Sequence, residues 1–357
     1  MRSLINITDL SVEELYALMD KALDIIAHRE KYSESCKGKK IATLFFEPST
    51  RTRLSFEAAM LELGGSVISV SGAGGSSVTK GETLADTARV VSCYADIIAV
   101  RHPLAGSARN MSKAASIPVI NAGDGGHFHP TQTLADLLTI YREKGRLSGL
   151  TIGICGDLLY GRTVHSLIDA MSRYEGVSFV LIAPNELKVP SHITEKLSTL
   201  GIPFEETTEL EDALPRLDVL YMTRIQRERF ENPQTYERLA GCYILDARKM
   251  RSAKKDCIVL HPLPRVDEIS TDFDADPRAA YFRQAENGKF MREALILKLL
   301  AEKDLPAAEE NVYSDPRFKC SSKKCVCTHE RGIVHEVYYD SKGTLRCAYC
   351  DEEISED

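Results

Sequence analysis

Phe46-Glu47-Pro48-Ser49-Thr50-Arg51-Thr52-Arg53 follows an apolar run, with a proline and hydroxyl residues placed where a helix would begin. A helix start exposes free amides and the positive end of the dipole, which together favour a phosphate. Ser49, Thr50 and Thr52 add hydroxyl donors and Arg51 a fork of charged ones. The same residues also fit a plain helix cap beside two solvated arginines. Arg101-His102-Pro103 ends a second apolar run, the kind of strand terminus at which open α/β sheets bind ligands. His129 closes a glycine-rich stretch from Gly123 to Gln132; an imidazole there can donate to a polarised carbonyl oxygen or serve a structural role. Arg162, and Arg224 with Gln226, follow two further apolar runs and can clamp a dicarboxylate. Gly153-Ile154-Cys155-Gly156-Asp157 does not supply G-x-G-x-x-G, which discounts a dinucleotide.

A second chemistry sits at the end of the chain. Cys320 and Cys325 are followed, after 21 intervening residues, by Cys347 and Cys350. Two knuckles so spaced place four thiolates tetrahedrally around zinc, with Cys327, His329 and His335 as spare ligands. Two disulfides are the rival arrangement, disfavoured in a reducing compartment. Ile333 to Tyr339 and Gly343 to Arg346 suggest a hairpin turning at Asp340 to Gly343. About 40 residues bury little core, so metal would supply the folding energy. From Asp315 to Asp357, seven Lys and Arg against nine Asp and Glu argue against a nucleic-acid ribbon.

These residues need a scaffold. The 357 residues, at roughly 150 per domain, imply two large units and a smaller one. Apolar content of 43% and charged content of 27% fit a globular chain, and a net charge of -7 gives no bulk attraction to nucleic acid or an anionic membrane. No apolar run is long enough to span a bilayer and MRSLINITDL lacks a signal-peptide core, so the reading is cytoplasmic. Cys36, Cys93, Cys155, Cys242 and Cys257 read as buried thiols. Ser11-Val12-Glu13-Glu14 is a capping box opening an amphipathic helix. Strands then alternate with helices: Ile41 to Phe46, Val67 to Val70, Ile97 to Val100 and Pro118 to Ile120, and later Thr151 to Cys155, Ser178 to Ile182, Val219 to Met222 and Cys257 to Leu260. That rhythm predicts parallel α/β sheets. Lys303 to Glu310 is polar, carries a proline and reads as a linker.

Six ordered segments carry a family resemblance: Ser49-Thr50-Arg51-Thr52-Arg53, Lys80-Gly81-Glu82-Thr83-Leu84-Ala85-Asp86-Thr87, Arg101-His102-Pro103, His129-Pro130-Thr131-Gln132-Thr133, Gly161-Arg162-Thr163 and His261-Pro262-Leu263-Pro264-Arg265. Over about residues 1 to 303 the chain resembles the aspartate and ornithine carbamoyltransferases. Pro262 stands where the ornithine enzymes typically carry cysteine, and Arg224-Ile225-Gln226 suits a diacid, so the resemblance is to the aspartate branch.

The resemblance implies two doubly wound parallel-sheet domains and a small β-rich zinc domain. Residues 1–133 would bind carbamoyl phosphate, 134–284 L-aspartate, 285–303 form a helix returning to the first domain, 304–316 link, and 317–357 bind zinc. Carried over by motif, Ser49, Thr50, Arg51, Thr52 and Arg101 bind phosphate, while Arg51, Thr52, Arg101 and His129 surround the carbonyl oxygen. Gln132 and the backbone of Pro262 and Leu263 contact the carbamoyl amine, and Arg162, Arg224 and Gln226 hold the aspartate carboxylates. Ser76 and Lys80 would reach a neighbouring subunit's site, making a homotrimer with shared sites the active unit and leaving association of two trimers open. No cofactor enters catalysis. The alternatives are a carbamoyltransferase acting on another amine, and a non-catalytic zinc-dependent binding protein, which would show broken motifs; Arg51, Arg101, His129, Arg162 and Arg224 are all present.

The cysteine spacing itself resembles the zinc domain of the aspartate carbamoyltransferase regulatory chain, here fused to a catalytic chain. Only about 15 residues separate the two parts, leaving no room for a nucleotide-binding domain. The expectation is a tail that contacts a neighbouring catalytic chain and stabilises assembly, with any response to CTP or ATP needing a separate polypeptide.

Overall fold

The computed structural model describes residues 2–72, 81–225, 233–239, 241–306, 311–314, 317–340 and 342–354. They form two compact units, one of residues 1–131 and 289–357, the other of residues 132–288. Among the described residues no helix is long and apolar enough to cross a membrane.

The first unit is built on a four-stranded parallel sheet, β1 (Lys40–Phe45), β2 (Ser66–Ser71), β3 (Ile97–His102) and β4 (Val119–Asp124), in the order β2-β1-β3-β4. β1, β3 and β4 are buried almost throughout, as parallel strands covered on both faces are. β2, mostly exposed, forms one edge of the sheet. The first long helix, Val12–Ala27, starts at the expected capping box: Ser11 Oγ accepts from the Glu14 amide and Glu14 accepts from the Ser11 amide. It buries Leu15, Leu18, Met19, Ala22 and Ile25 at helical spacing.

The second unit has five parallel strands: β5 (Thr151–Cys155), β6 (Ser178–Ile182), β7 (Phe204–Thr207), β8 (Val219–Met222) and β9 (Ile258–Leu260), ordered β7-β6-β5-β8-β9. β5 sits at the centre, so the turn after it lies beside the turn after β8. The sequence pattern missed β7, a short edge strand reading Phe-Glu-Glu-Thr.

The tail is a three-stranded antiparallel sheet, β10 (Tyr313–Ser314), β11 (Glu336–Tyr339) and β12 (Leu345–Cys347). β10 comes out of the stretch read as linker, where Tyr313 and Ser314 pair with Val337 and Glu336. The tail packs on the first unit of its own chain. Ala105 donates its amide to the Lys324 carbonyl at 2.9 Å and accepts from the Val326 amide at 3.0 Å. Leu84 N–H donates to Glu330 at 2.9 Å, Arg331 donates to the Gly81 carbonyl at 3.0 Å, and Glu336 pairs with Arg109 and Lys113. Beneath these polar contacts Val326, Val337, Leu345, Tyr349 and Ile354 share one apolar cluster with Leu84, Ala88, Ala108 and Met111. A 40-residue module has too little core of its own, and this shared cluster supplies it.

Gly106 lies directly under the tail. Its φ is +78°, and a Cβ there would lie 2.5 Å from the Tyr349 Cβ. A Gly106→Val change combines a left-handed β-branched residue with an overlap against the tail, a cost of roughly 2–4 kcal/mol. It should lower the thermal midpoint and expose the tail to protease, read by melting and by timed trypsin digestion.

Candidate active site and metal centre

In the first unit the turn after β1 leads through Ser49 into the helix Thr50–Glu62. Ser49 holds the N-cap position but its side chain makes no capping bond, so the hydroxyl is not spent on its own helix. The leading amides of that helix, around Thr50, Arg51 and Thr52, precede its first i to i−4 bond, from Arg53 to Ser49. Beside them lies Arg101, at the end of β3, its side chain only 12% exposed and its Nε 3.2 Å from Glu47. Burial holds the Arg101 guanidinium below its ordinary pKa against the opposing pull of Glu47. Arg51 is exposed over much of its surface, yet its guanidinium is also lowered, by desolvation first and by the Arg101 charge second. Two like charges thus face each other at a helix N-terminus, an arrangement that an anion relieves.

Gly123 explains how His129 joins them. At φ +121°, its missing side chain would lie 3.3 Å from the His129 ring and 3.4 Å from an Arg101 terminal nitrogen, so both groups close over the glycine. His129 is 5% exposed and its Nδ1 lies 3.5 Å from Thr131 Oγ1. Thr131 in turn accepts from Arg292 at 3.4 Å, and Arg292 donates to Ser55 at 3.0 Å. Glu47, Gly123 and Arg292 were not singled out from sequence. They hold the motif residues, and only contacts between distant positions reveal them.

In the second unit Gln132 donates through Nε2 to Asp136 at 2.8 Å, which leaves its Oε1 as an acceptor. Gln284 donates to the same carboxylate oxygen at 2.5 Å and accepts from the His261 amide at 2.9 Å. His261 therefore joins the Gln132 network to the Pro262-Leu263 turn. Its Nδ1 accepts from the Leu263 amide at 2.7 Å, its Nε2 faces Glu268 at 2.7 Å, and Leu263 takes a left-handed φ of +52°. Burial opposes the Glu268 charge, but the His261 hydrogen bond holds its carboxyl below the ordinary value.

Arg162 begins the helix Arg162–Met171 after β5, and Arg224 follows β8, so the pairing of these strands puts both arginines at one edge of the sheet. Thr223 stitches the two turns together, accepting from the Asp157 amide at 2.9 Å and donating to the Cys155 carbonyl at 3.1 Å. Gly156 permits that approach, since a Cβ there would sit 2.4 Å from the Thr223 carbonyl oxygen. Both arginines are partly buried. Ser76, Lys80 and Gln226 lie outside the described residues.

In the tail the Sγ atoms of Cys320, Cys325, Cys347 and Cys350 all lie within 4.8 Å of one another. Cys320 and Cys350 are 3.5 Å apart, Cys325 and Cys347 3.9 Å. A zinc ion about 2.3 Å from four sulfurs needs edges of roughly 3.8 Å, so the donor set fits. Those gaps far exceed the roughly 2.05 Å of a disulfide, and all four cysteines are free thiols. Hydrogen bonding within the cluster pulls Cys320 and Cys347 below the ordinary thiol value and pushes Cys325 and Cys350 above it. Cys327, His329 and His335 stand outside the group, and His329 Nε2 instead faces the Lys323 carbonyl at 2.8 Å. Of the scattered cysteines, Cys36, Cys155 and Cys257 are buried as expected; Cys93 and Cys242 are exposed, one capping a helix end and the other in a turn.

Family models for the aspartate/ornithine carbamoyltransferase carbamoyl-P binding domain and Asp/Orn binding domain match residues 2–142 and 148–299. The aspartate carbamoyltransferase catalytic subunit of Lachnoclostridium phytofermentans is 61% identical over 301 residues, covering 84% of this chain and 98% of that protein. This chain belongs to the aspartate carbamoyltransferase family. The Clostridium kluyveri catalytic subunit is 58% identical over 299 residues, covering 84% of this chain and 98% of its own length. Among solved structures, the M. jannaschii aspartate transcarbamoylase catalytic subunit has a TM-score of 0.80 at 46% identity, covering 86% of this chain and all of that one. The Trypanosoma cruzi aspartate transcarbamoylase in complex with N-(phosphonacetyl)-L-aspartic acid has a TM-score of 0.79 at 40% identity, covering 84% and 95%. The family models end at residue 299, short of the cysteine tail.

Two outcomes follow from the tail. Cys347→Ser should lower the bound metal, counted by atomic absorption, from about one ion per chain to a small fraction of that. His127, set between Asp124 and Asp351, has burial acting against its charge, but the two carboxylates outweigh it and push its pKa up to about 10. A raised histidine contributes stability that is whole below its unfolded pKa of about 6.5 and is lost as pH climbs toward the folded value. Protease resistance of the metal-loaded tail should therefore weaken between about pH 7 and 10, and His127→Gln should flatten that profile.

Proposed function

We propose that this chain transfers the carbamoyl group of carbamoyl phosphate to the amino group of L-aspartate, giving N-carbamoyl-L-aspartate and phosphate for pyrimidine synthesis in the cytoplasm. The observation that carries the reading is the gathering of Arg101 and His129 over Gly123, beside Arg51 at a helix N-terminus. Together with the named relatives, it supports a site for a phosphate next to a polarised carbonyl.

The phosphate is held by Ser49, Thr50, Arg51, Thr52 and Arg101. Arg51, Thr52, Arg101 and His129 surround the carbonyl oxygen, so the negative charge that forms when the amine attacks meets donors already in place. The Gln132 acceptor, left by its bond to Asp136, and the carbonyls of Pro262 and Leu263 receive the carbamoyl amine and fix which face of the carbonyl is attacked. Arg162, Arg224 and Gln226 hold the two carboxylates of aspartate. The tetrahedral intermediate then collapses: the attacking nitrogen gives up a proton, the leaving phosphate oxygen takes it as the C–O bond breaks, and the cationic cradle holds the resulting hydrogen phosphate dianion. No cofactor takes part. Ser76 and Lys80 complete the site from a neighbouring copy, so the active unit is a homotrimer. Cys320, Cys325, Cys347 and Cys350 hold a structural zinc that keeps the tail folded.

With carbamoyl phosphate supplied, aspartate should be carbamoylated and ornithine should not, as measured by product chromatography; a carbamoylated product from another amine alone would replace the substrate assignment. Arg101→Ala should cost at least about 100-fold in kcat/KM while the melting curve stays near wild type.

A further inference from the structure

His127 joins the cysteine tail to the turn that carries His129 by a side-chain bridge. Its Nε2 lies 2.9 Å from Asp351 in the tail and its Nδ1 3.3 Å from Asp124 in the turn, so both ring nitrogens donate to carboxylates. Asp124, 1% exposed, is the knot of that turn. It accepts from the Gly106 amide at 2.8 Å, the Phe128 amide at 3.0 Å and Asn121 Nδ2 at 3.0 Å. The His127 and Phe128 rings lie 3.7 Å apart, and His129 follows directly.

Asp351 is held just as firmly on the other side. It follows the ligand candidate Cys350 with φ +60°, its amide donates to the Cys347 carbonyl at 2.9 Å, and its carboxylate accepts from Tyr338 at 2.8 Å. Arg346 donates to its carbonyl at 2.9 Å. The four-sulfur knuckle therefore fixes Asp351, Asp351 fixes His127, and His127 fixes the turn two residues before His129. Other tail contacts reach the helices Leu84–Ser92 and Ser107–Ala114 or the turns before them, and those on Ala105 and Gly106 meet this loop through backbone, the Gly106 amide donating to Asp124.

We infer that His127 is a positioning residue through which the metal-held tail sets the His129 turn, so that affinity for carbamoyl phosphate depends on an intact Asp351–His127–Asp124 bridge. This rests on the assignment of carbamoyl phosphate to the first unit. His127 itself need not touch substrate; its effect is to limit the conformations from which His129 must be drawn into contact.

The test compares the full-length, metal-loaded protein with His127→Gln, Asp351→Asn, the double variant and Glu336→Gln, which removes a tail contact outside the bridge. Carbamoyl phosphate binding is measured by calorimetry, KM and kcat by steady-state assay, and metal content on the same samples. The expected result is a rise of at least about fivefold in Kd and KM for each bridge variant, the low end of typical site-to-site coupling. kcat should change less, the double variant should be no worse than the poorer single one, and Glu336→Gln should lower thermal stability without moving KM. Chelating the metal should raise the wild-type Kd by a similar factor and leave the Kd of His127→Gln unchanged. Unaltered Kd in both bridge variants, additive effects in the double variant, or an equal KM shift in Glu336→Gln would each overturn the inference. If the wild-type protein bound no carbamoyl phosphate, the substrate assignment would fail first, which separates the two failures.

Discussion

Two guanidinium groups drawn together at the start of one helix are the constraint around which the first unit is built. Arg101 is nearly covered, Arg51 faces it, and Glu47 pairs with Arg101. Such a pair is tolerable because the surrounding sheet is rigid: β1 and β3 are hydrogen-bonded neighbours, and their ends deliver the two arginines to one edge. Gly123 then leaves space for a third group, and the buried Arg292–Thr131 contact braces the segment that carries His129. The strain of like charges is local, and the packing beneath it carries the cost.

The second unit solves a different problem, the placement of polar groups on turns. There the ordering comes from shared acceptors. Asp136 serves Gln132 and Gln284, and Glu268 serves His261 and the amides of Val266 and Asp267. Each buried carboxylate collects several donors, which fixes side-chain orientation more tightly than apolar contact alone.

Much of this was legible from residue order. The apolar runs located the main parallel strands because strands buried on both faces are continuous in hydrophobicity. The short, acidic β7 and the two-residue β10 carry no such run and were missed. Among candidate site residues, the arginines and His129 announce themselves by lying at strand ends or in the turns that follow them, whereas Glu47 and Arg292 act through other side chains 54 and 161 positions away. The seat of the tail was also hidden. Leu84, Ala88, Ala108 and Met111 read as the inner face of ordinary helices, and small residues at 105 and 106 carry no mark of a partner until Tyr349 is seen above them.

Tethering gives that seat a consequence for molecular competition. A covalently attached occupant is present at a local concentration on the order of millimolar, whatever the dilution of the protein. A freestanding polypeptide that sought the helical surface around Ala105 and Arg109 would have to evict this resident before gaining a foothold. The covalent link thus makes occupancy of that surface a property of each chain.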